Sequence, residues 1–357
     1  MRKLSKILAT AALALGLGAG SSFADEPLKV GFVYVGPVSD HGYSYQHDLA
    51  RKAVEKHFGD KVETTFIENV PGGADAERAV ERLARSGHEL VFSTSFGFMN
   101  PTLKVAKRFP NVKFEHATGF KRAKNMATYN GRFYEARYVM GQIAATASET
   151  GTAGYIGAFP IPEVVRGMNA FMLGAQSVDP DFKVKVIWVN SWYDPGREAD
   201  AAKALVDQGV DVILQHTDSP APLQIAQERG VLAFGQASDN IEFAPTSQAS
   251  ALLNDWAPYY IDRIQAVMDG TWEATDTWGG IDSGMVKLAP LRNVSDEVKA
   301  VAEETIAKFE SGEFEPFTGP VYKQDGTVFL EDGVEVTDEQ LLGMNFFVKG
   351  FDASLPN

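Results

Sequence analysis

The sequence contains no cysteine among its 357 residues. It can therefore form no disulfide, supply no thiol nucleophile and carry no lipid-modified cysteine at an export cleavage point. No Gly-x-Ser-x-Gly elbow occurs, and the histidines show no paired spacing typical of a metal site. The six histidines are His41, His47, His57, His88, His116 and His216. We expect neither a metal nor a cofactor, and a binding protein rather than an enzyme.

Long hydrophobic runs are also missing after residue 24, so the sequence predicts no transmembrane helix. The first 24 residues instead have the features of a removable export signal. They begin with three basic residues, continue with an apolar stretch over 7–18 and end in a small-x-small site over 22–24. We expect a mature chain from about Asp25, free in the periplasm and without a lipid anchor.

Positive charge is scarce, because 33 basic residues face 47 acidic ones and the net charge is −14. Removal of residues 1–24, which hold three basic residues and no acidic one, would make it −17. A chain that binds nucleic acid or an anionic membrane needs clustered Lys and Arg. The charge therefore argues against both partners, and solubility is its simplest explanation.

One pattern occurs twice: a buried strand, a polar loop with aromatic residues, and a helix. The copies read VGFVYVGPVSDHGYSYQHDLARKAV over 30–54 and VKVIWVNSWYDPGREADAAKALV over 184–206. The pattern places Tyr43 and Trp192 after strands in two successive α/β halves, where open parallel sheets bind their ligands. Two flat rings across a cleft would suit a flat aromatic ligand.

Strand and helix patterns alternate along most of the chain, which predicts two doubly wound α/β lobes. We expect one lobe from 25–140 and about 246–290, and the other from 141–245 and about 291–357. The chain should cross between them at a helix over 133–150 and twice more beyond residue 245, and 320–333 should form a hairpin. Strands are predicted over 30–35, 62–67, 90–94, 113–116, 153–158, 184–189, 212–215 and 231–235, and helices over 74–85, 101–108, 164–178, 199–206 and 221–229.

Six segments in order and spacing resemble the basic membrane protein family of ABC-transporter solute-binding proteins. Three of the six segments are GPVSDHGYSYQ (36–46), NSWYDPGREADAAKALVDQGVDVI (190–213) and GQASDN (235–240). The other three cover residues 95–114, 138–171 and 319–350. The resemblance implies a type I periplasmic-binding-protein fold, with two lobes joined by a multi-strand hinge. It also implies a monomer that closes on a purine ligand and delivers it to a permease.

The family's pocket carries over in part. Its aspartate and first aromatic residue correspond to Asp40 and Tyr43, its asparagine position is Ser44, and its second aromatic wall is Trp192. The resemblance therefore implies two stacking rings, each worth about 1–3 kcal/mol against a base. We add Ser95 and Phe96 as candidate contacts.

Two departures bear on the ligand. The family's glycine-x-aspartate-x-aspartate loop keeps only its second carboxylate, Asp239, because Ala237 replaces the first, and Asn254 stands where a lysine is usual. Carboxylate and ammonium groups suit vicinal hydroxyls, so a site without them has less reason to hold ribose. We expect a free purine base, adenine above others.

Other interpretations stay open. The ligand could be a purine nucleoside, or a flavin or sugar bound by the same fold. A nucleoside or glycoside hydrolase using Asp40 and Asp239 is the enzyme alternative. Individually, Asp40 could be a helix N-cap, Ser95 could satisfy nearby backbone, and a loop aromatic could serve packing alone.

Overall fold

The computed structural model describes residues 26–39 and 41–356. The predicted export signal and Asp40 lie outside the described residues. The strands are β1 Leu28–Val33, β2 Val62–Ile67, β3 Leu90–Ser93, β4 Lys113–Ala117, β5 Met126–Gly131, β6 Thr152–Gly157, β7 Lys183–Trp188, β8 Val212–His216, β9 Leu232–Gly235, β10 Gln248–Asn254, β11 Asp276–Gly279, β12 Val286–Leu288, β13 Val321–Tyr322, β14 Val328–Leu330 and β15 Phe351–Asp352. The helices are α1 Tyr43–Phe58, α2 Ala74–Arg85, α3 Met99–Arg108, α4 Phe133–Ala147, α5 Pro162–Gln176, α6 Pro195–Asp207, α7 Ala221–Arg229, α8 Ala257–Met268, α9 Asp296–Glu310 and α10 Asp338–Leu342.

Two large sheets form the two lobes, which confirms the predicted fold class. The first has the order β11-β5-β4-β3-β1-β2 and the second β12-β10-β9-β8-β6-β7-β15. Every pairing in them is parallel except that of β10 with β12. Central strands such as β3 are buried along their whole length, because helices cover both faces of a doubly wound sheet.

The chain passes between the lobes three times, at the β5–α4, β10–α8 and β11–β12 connections. Two of these connections lie beyond residue 245. Strand β10 pairs with β9 in the second sheet. The predicted hairpin over 320–333 is formed by β13 and β14.

The two copies of the repeated pattern lie on strands that are not equivalent in the two sheets. Five strands of each sheet have the same arrangement, β2-β1-β3-β4-β5 in the first sheet and β7-β6-β8-β9-β10 in the second. Strand β1, which carries the first copy of the pattern, therefore corresponds to β6, whereas the second copy lies on β7. The two segments are alike because each is a strand followed by a loop and a helix. Both loops still follow the carboxyl ends of parallel strands, where a cleft between two such sheets forms.

Helices α4 and α5 pack with backbones in close approach. A methyl group at Gly141 would overlap the carbonyl oxygen of Phe171, and one at Gly174 would overlap that of Tyr138. Glycine is the residue that permits such an approach. The contact fixes the positions of Arg137 on α4 and Glu163 on α5, which both belong to the site described below.

Within residues 26–39 and 41–356, no helix combines the length and apolar character needed to cross a membrane.

Candidate functional site

A cavity lies between the lobes, at the carboxyl edges of both sheets. The first lobe contributes Val35, Tyr43, Ser95, Phe96 and Thr118, and the second contributes Glu163, Trp192, His216, Asp218 and Gln236. The cavity is therefore a two-sided site whose walls belong to different lobes.

Tyr43 forms an aromatic wall on the first lobe. It begins α1, directly after Gly42, whose φ of 89° favours glycine. Its ring meets that of His47 edge-on at 4.4 Å, and His47 in turn stacks on Trp256 at 5.0 Å with an interplanar angle of 5°. Both residues behind Tyr43 are fully buried, so they hold its ring firmly.

Trp192 forms the aromatic wall on the second lobe. It lies in the loop between β7 and α6, and its ring centroid is 5.3 Å from that of Phe159 and 6.1 Å from that of His216. Its side chain is only partly buried, because one side of the ring borders the cavity. The wider mouth of the cleft is lined by further residues of these loops, including Phe159 and Tyr193.

Hydrogen-bond acceptors dominate the polar part of the wall. His216 Nε2 lies 3.5 Å from Glu163 Oε1, and burial lowers the pKa of His216, so its ring is neutral. Since the Glu163 carboxylate accepts only, Nε2 carries the hydrogen and Nδ1 is left as an acceptor. Among the described residues, neither His216 Nδ1 nor Glu163 Oε2 has a hydrogen-bond partner.

Asp218 adds a further carboxyl group to this wall. Burial, followed by the charge of Glu198, raises its pKa to about 7, although the backbone N–H of Tyr43 opposes the shift. That N–H donates to Asp218 Oδ1 at 3.3 Å. No lysine or arginine appears among the described residues that line the cavity. The wall is therefore suited to ligands that donate hydrogen bonds and carry no negative charge.

Direct hydrogen bonds join the lobes beside the cavity. The backbone N–H of Gly42 donates to Ser238 Oγ at 2.9 Å, and Gln46 Nε2 donates to the same oxygen at 3.0 Å. The bond from Tyr43 to Asp218 also joins the lobes. The structure thus shows the cleft closed over the cavity.

Strained backbone is concentrated around the cleft. Asn69, Thr118, Asn190 and Ala237 have φ between 52° and 62°, and each lies one or two residues after the carboxyl end of a parallel strand. Residues other than glycine rarely adopt this conformation, and it is enriched at functional sites. The distribution therefore supports the assignment of the cavity as the functional site.

Four predicted site residues, Tyr43, Ser95, Phe96 and Trp192, come together in this cavity. Ser44 and Asp239 do not line it. Ser44 is buried beneath it, where its hydroxyl accepts from the backbone N–H of Gly36 at 3.1 Å. Asp239 pairs with both terminal nitrogens of Arg292 at 3.0 and 3.1 Å and accepts from Gln248, so its carboxylate is already engaged. Asp40 lies outside the described residues.

Sequence reasoning missed the polar residues of the site other than Ser95. His216 ends β8, Thr118 follows β4 directly, Gln236 follows β9 directly, and Glu163 lies in the first turn of α5. His216, Thr118 and Gln236 share one signal, a polar residue at or just past the end of a predicted strand, whereas Glu163 begins a helix. Among residues 26–39 and 41–356, no cluster of three or more histidine or carboxylate side chains could hold a metal ion.

Comparison with known proteins gives a consistent result. Residues 28–313 match the family model described as ABC transporter substrate-binding protein PnrA-like. The chain is 62% identical over 337 residues to the purine-binding protein of Brucella abortus (strain 2308), covering 94% of this chain and 96% of that protein. It is 37% identical over 339 residues to a putative ABC transporter glucose-binding protein of Haloferax volcanii, covering 95% and 84%.

A solved structure supports the fold. An ABC transporter solute-binding protein from Aeropyrum pernix K1 superposes with a TM-score of 0.71 at 20% identity, covering 89% of this chain and 98% of that one. At this identity, the similarity concerns the fold alone.

Proposed function

The chain belongs to the family of PnrA-like ABC transporter substrate-binding proteins, and on this premise we propose that it captures a free purine base, adenine by preference. Tyr43 and Trp192 hold the base between their rings, and the closed protein delivers it to the permease of an importer. The enzyme alternative is set aside, because the family consists of substrate-binding proteins. The basic and apolar start of the chain supports export to the periplasm, where such an importer collects its substrate.

The observation that carries the proposal is that Tyr43 and Trp192 line one cavity from opposite lobes. A base stacked on both rings would gain about 1–3 kcal/mol from each. Micromolar affinity corresponds to about 8 kcal/mol, so stacking would supply a large share of it. Because each lobe contributes one ring, closure completes the binding site.

The acceptor-rich wall supports a base that donates hydrogen bonds. Glu163 and His216 each offer an unpartnered acceptor atom, and Asp218 adds a carboxyl group to the same wall. Adenine carries an exocyclic amine and a ring N–H that can donate to such groups. Phosphorylated ligands would bring negative charge to a wall with two carboxyl groups, which is unfavourable. Purine binding by the Brucella abortus relative supports the same class of ligand.

The preference for base over nucleoside rests on the groups that would contact ribose. Asp239 is engaged by Arg292, away from the cavity. Asn254 also borders a separate pocket beside α8. Without such groups, ribose hydroxyls would lose hydrogen bonds to water and gain few in return.

A sugar is the second candidate, because the Haloferax volcanii relative is named as a glucose-binding protein. Carboxylates and aromatic rings also suit a sugar, so titration must decide between the two. The test is calorimetric titration with adenine, guanine, hypoxanthine, adenosine and glucose, after mass spectrometry of any small molecule released on denaturation. Tightest binding of adenine supports the proposal, whereas tightest binding of adenosine or glucose would replace it.

A further inference from the structure

An arginine is buried directly behind the cavity. Arg137 on α4 has no exposed surface, and among the described residues no carboxylate lies within ion-pair distance of it. Its guanidinium donates to the carbonyl oxygen of Gln215 at 2.8 Å and to Gln236 Oε1. Its charge also lies 5.6 Å from the centroid of the Tyr155 ring. A buried cation without a carboxylate is costly, so these neutral partners must hold it.

This contact fixes the orientation of the Gln236 amide. A guanidinium has only donors, so the amide oxygen of Gln236 must face Arg137. The amide nitrogen, bonded to the same carbon, is then the end of the amide that Arg137 does not engage, and Gln236 is one of the residues that line the cavity. An amide flip would bring two donors against the guanidinium, which burial makes very unfavourable.

The backbone holds Gln236 in place as well. The next residue, Ala237, is fully buried with φ of 60°, and the N–H of Ser238 donates to the carbonyl oxygen of Gln236 at 2.7 Å. This tight turn begins directly after β9. Side chain and backbone together leave the amide little freedom to turn away from the cavity.

We propose that the Gln236 amide donates a hydrogen bond to a ring nitrogen of the bound purine, and that Arg137 is the positioning residue that gives the amide this polarity. The inference rests on the proposed function. In the proposed binding site, Gln236 supplies a hydrogen-bond donor beside the acceptor groups of Glu163, His216 and Asp218. Adenine presents an amine beside unprotonated ring nitrogens, so one edge of the base needs both kinds of partner.

The test uses adenine and its 1-deaza, 3-deaza and 7-deaza analogues, in which a C–H replaces one ring nitrogen with little change of shape. Kd is measured by calorimetry for the full-length protein and for Gln236→Glu. This variant keeps an oxygen for Arg137 but removes the donor. In the wild type, one analogue should bind about 10-fold or more weakly than adenine, because it leaves the Gln236 N–H unpaired. In Gln236→Glu that analogue should bind at least as well as adenine, since the carboxylate repels a ring-nitrogen lone pair.

Arg137 is tested by the same ratio of Kd values. In Arg137→Met the Gln236 amide is no longer held in one orientation, so the ratio of the analogue's Kd to that of adenine should fall. In Arg137→Lys, which again offers only donors, this ratio should return toward the wild-type value. A purely structural role would weaken adenine and the analogue equally and leave the ratio unchanged. Gln208→Glu makes the same chemical change at an exposed position and should alter neither Kd.

The outcomes separate the two proposals. If the wild type binds adenine but the analogue ratios are the same in Gln236→Glu, the inference about Gln236 is overturned and the proposed function stands. If the ratios change in Gln236→Glu but not in Arg137→Met, the positioning role of Arg137 is overturned. If the wild type binds no purine, both the proposed function and the inference fail.

Discussion

Replacement of Trp192 by alanine should weaken adenine binding while leaving the fold intact. The change removes one of the two proposed stacking surfaces, which is worth about 1–3 kcal/mol, or roughly 5- to 150-fold in Kd. Trp192 lies in a loop and is only partly buried, with Phe159 and His216 as its ring neighbours. The loss of unfolding free energy should therefore stay below the ~3–5 kcal/mol typical of a buried Trp→Ala change.

The assay is calorimetric titration with adenine, together with urea unfolding of both proteins. Tyr193→Ala is the matched control, because Tyr193 is the next residue, is 37% exposed and borders the mouth of the cleft. It should change the Kd by less than about threefold, which is below the value of one stack. An unchanged affinity in a folded Trp192→Ala protein would remove this ring from the site. An equal loss in both variants would show that the loop matters and the stacking ring does not.

Three further predictions test the surroundings of the site. Ser238→Ala removes the acceptor for Gly42 and Gln46 and should weaken adenine binding about 2- to 10-fold by destabilising closure; an unchanged Kd by calorimetry would contradict this. The pKa of Asp218 is raised from 3.8 to about 7 in the folded protein, so the folded state holds this proton more tightly than the unfolded state. The protonated carboxyl therefore stabilises the fold at pH 4, and this stabilisation is lost as pH rises toward 7. Asp218→Asn should therefore reduce the fall in unfolding free energy between pH 4 and 7, measured by urea titration, and an identical fall would refute the assignment. Asp239→Asn should lower stability by up to about 1 kcal/mol without changing the Kd for adenine, whereas a 10-fold loss of affinity would return Asp239 to the binding site.

The fold could be predicted where local pattern and flanking signals agree. The helix predicted over 74–85 is α2, and the strand predicted over 62–67 is β2, with the same bounds in each case. Strand β5 is not among the predicted strands, and its sequence MATYNG ends in Asn-Gly, a pair typical of turns. Strand β11, which reads DTWG, is specified by its parallel pairing with β5 across about 150 residues of sequence, a contact that local pattern cannot reveal.

The candidate site could be predicted for its aromatic residues and Ser95, but not for the rest of its polar wall. Tyr43 and Trp192 were identified because large rings in loops after strands are distinctive and match the family's pattern. Polar residues at strand ends, such as His216 and Gln236, are common for ordinary reasons such as helix capping and turns. Their role emerges only when two sheets bring them to one cavity, and the orientation of Gln236 depends on Arg137, 99 residues earlier in the chain.

The most direct test of the account is a crystal structure of the protein with adenine bound. The account predicts the base in the cavity between the lobes, with the Tyr43 ring on one face of the base and the Trp192 ring on the other at stacking distance. A base bound outside this cavity, or bound within it without contact to either ring, would contradict it.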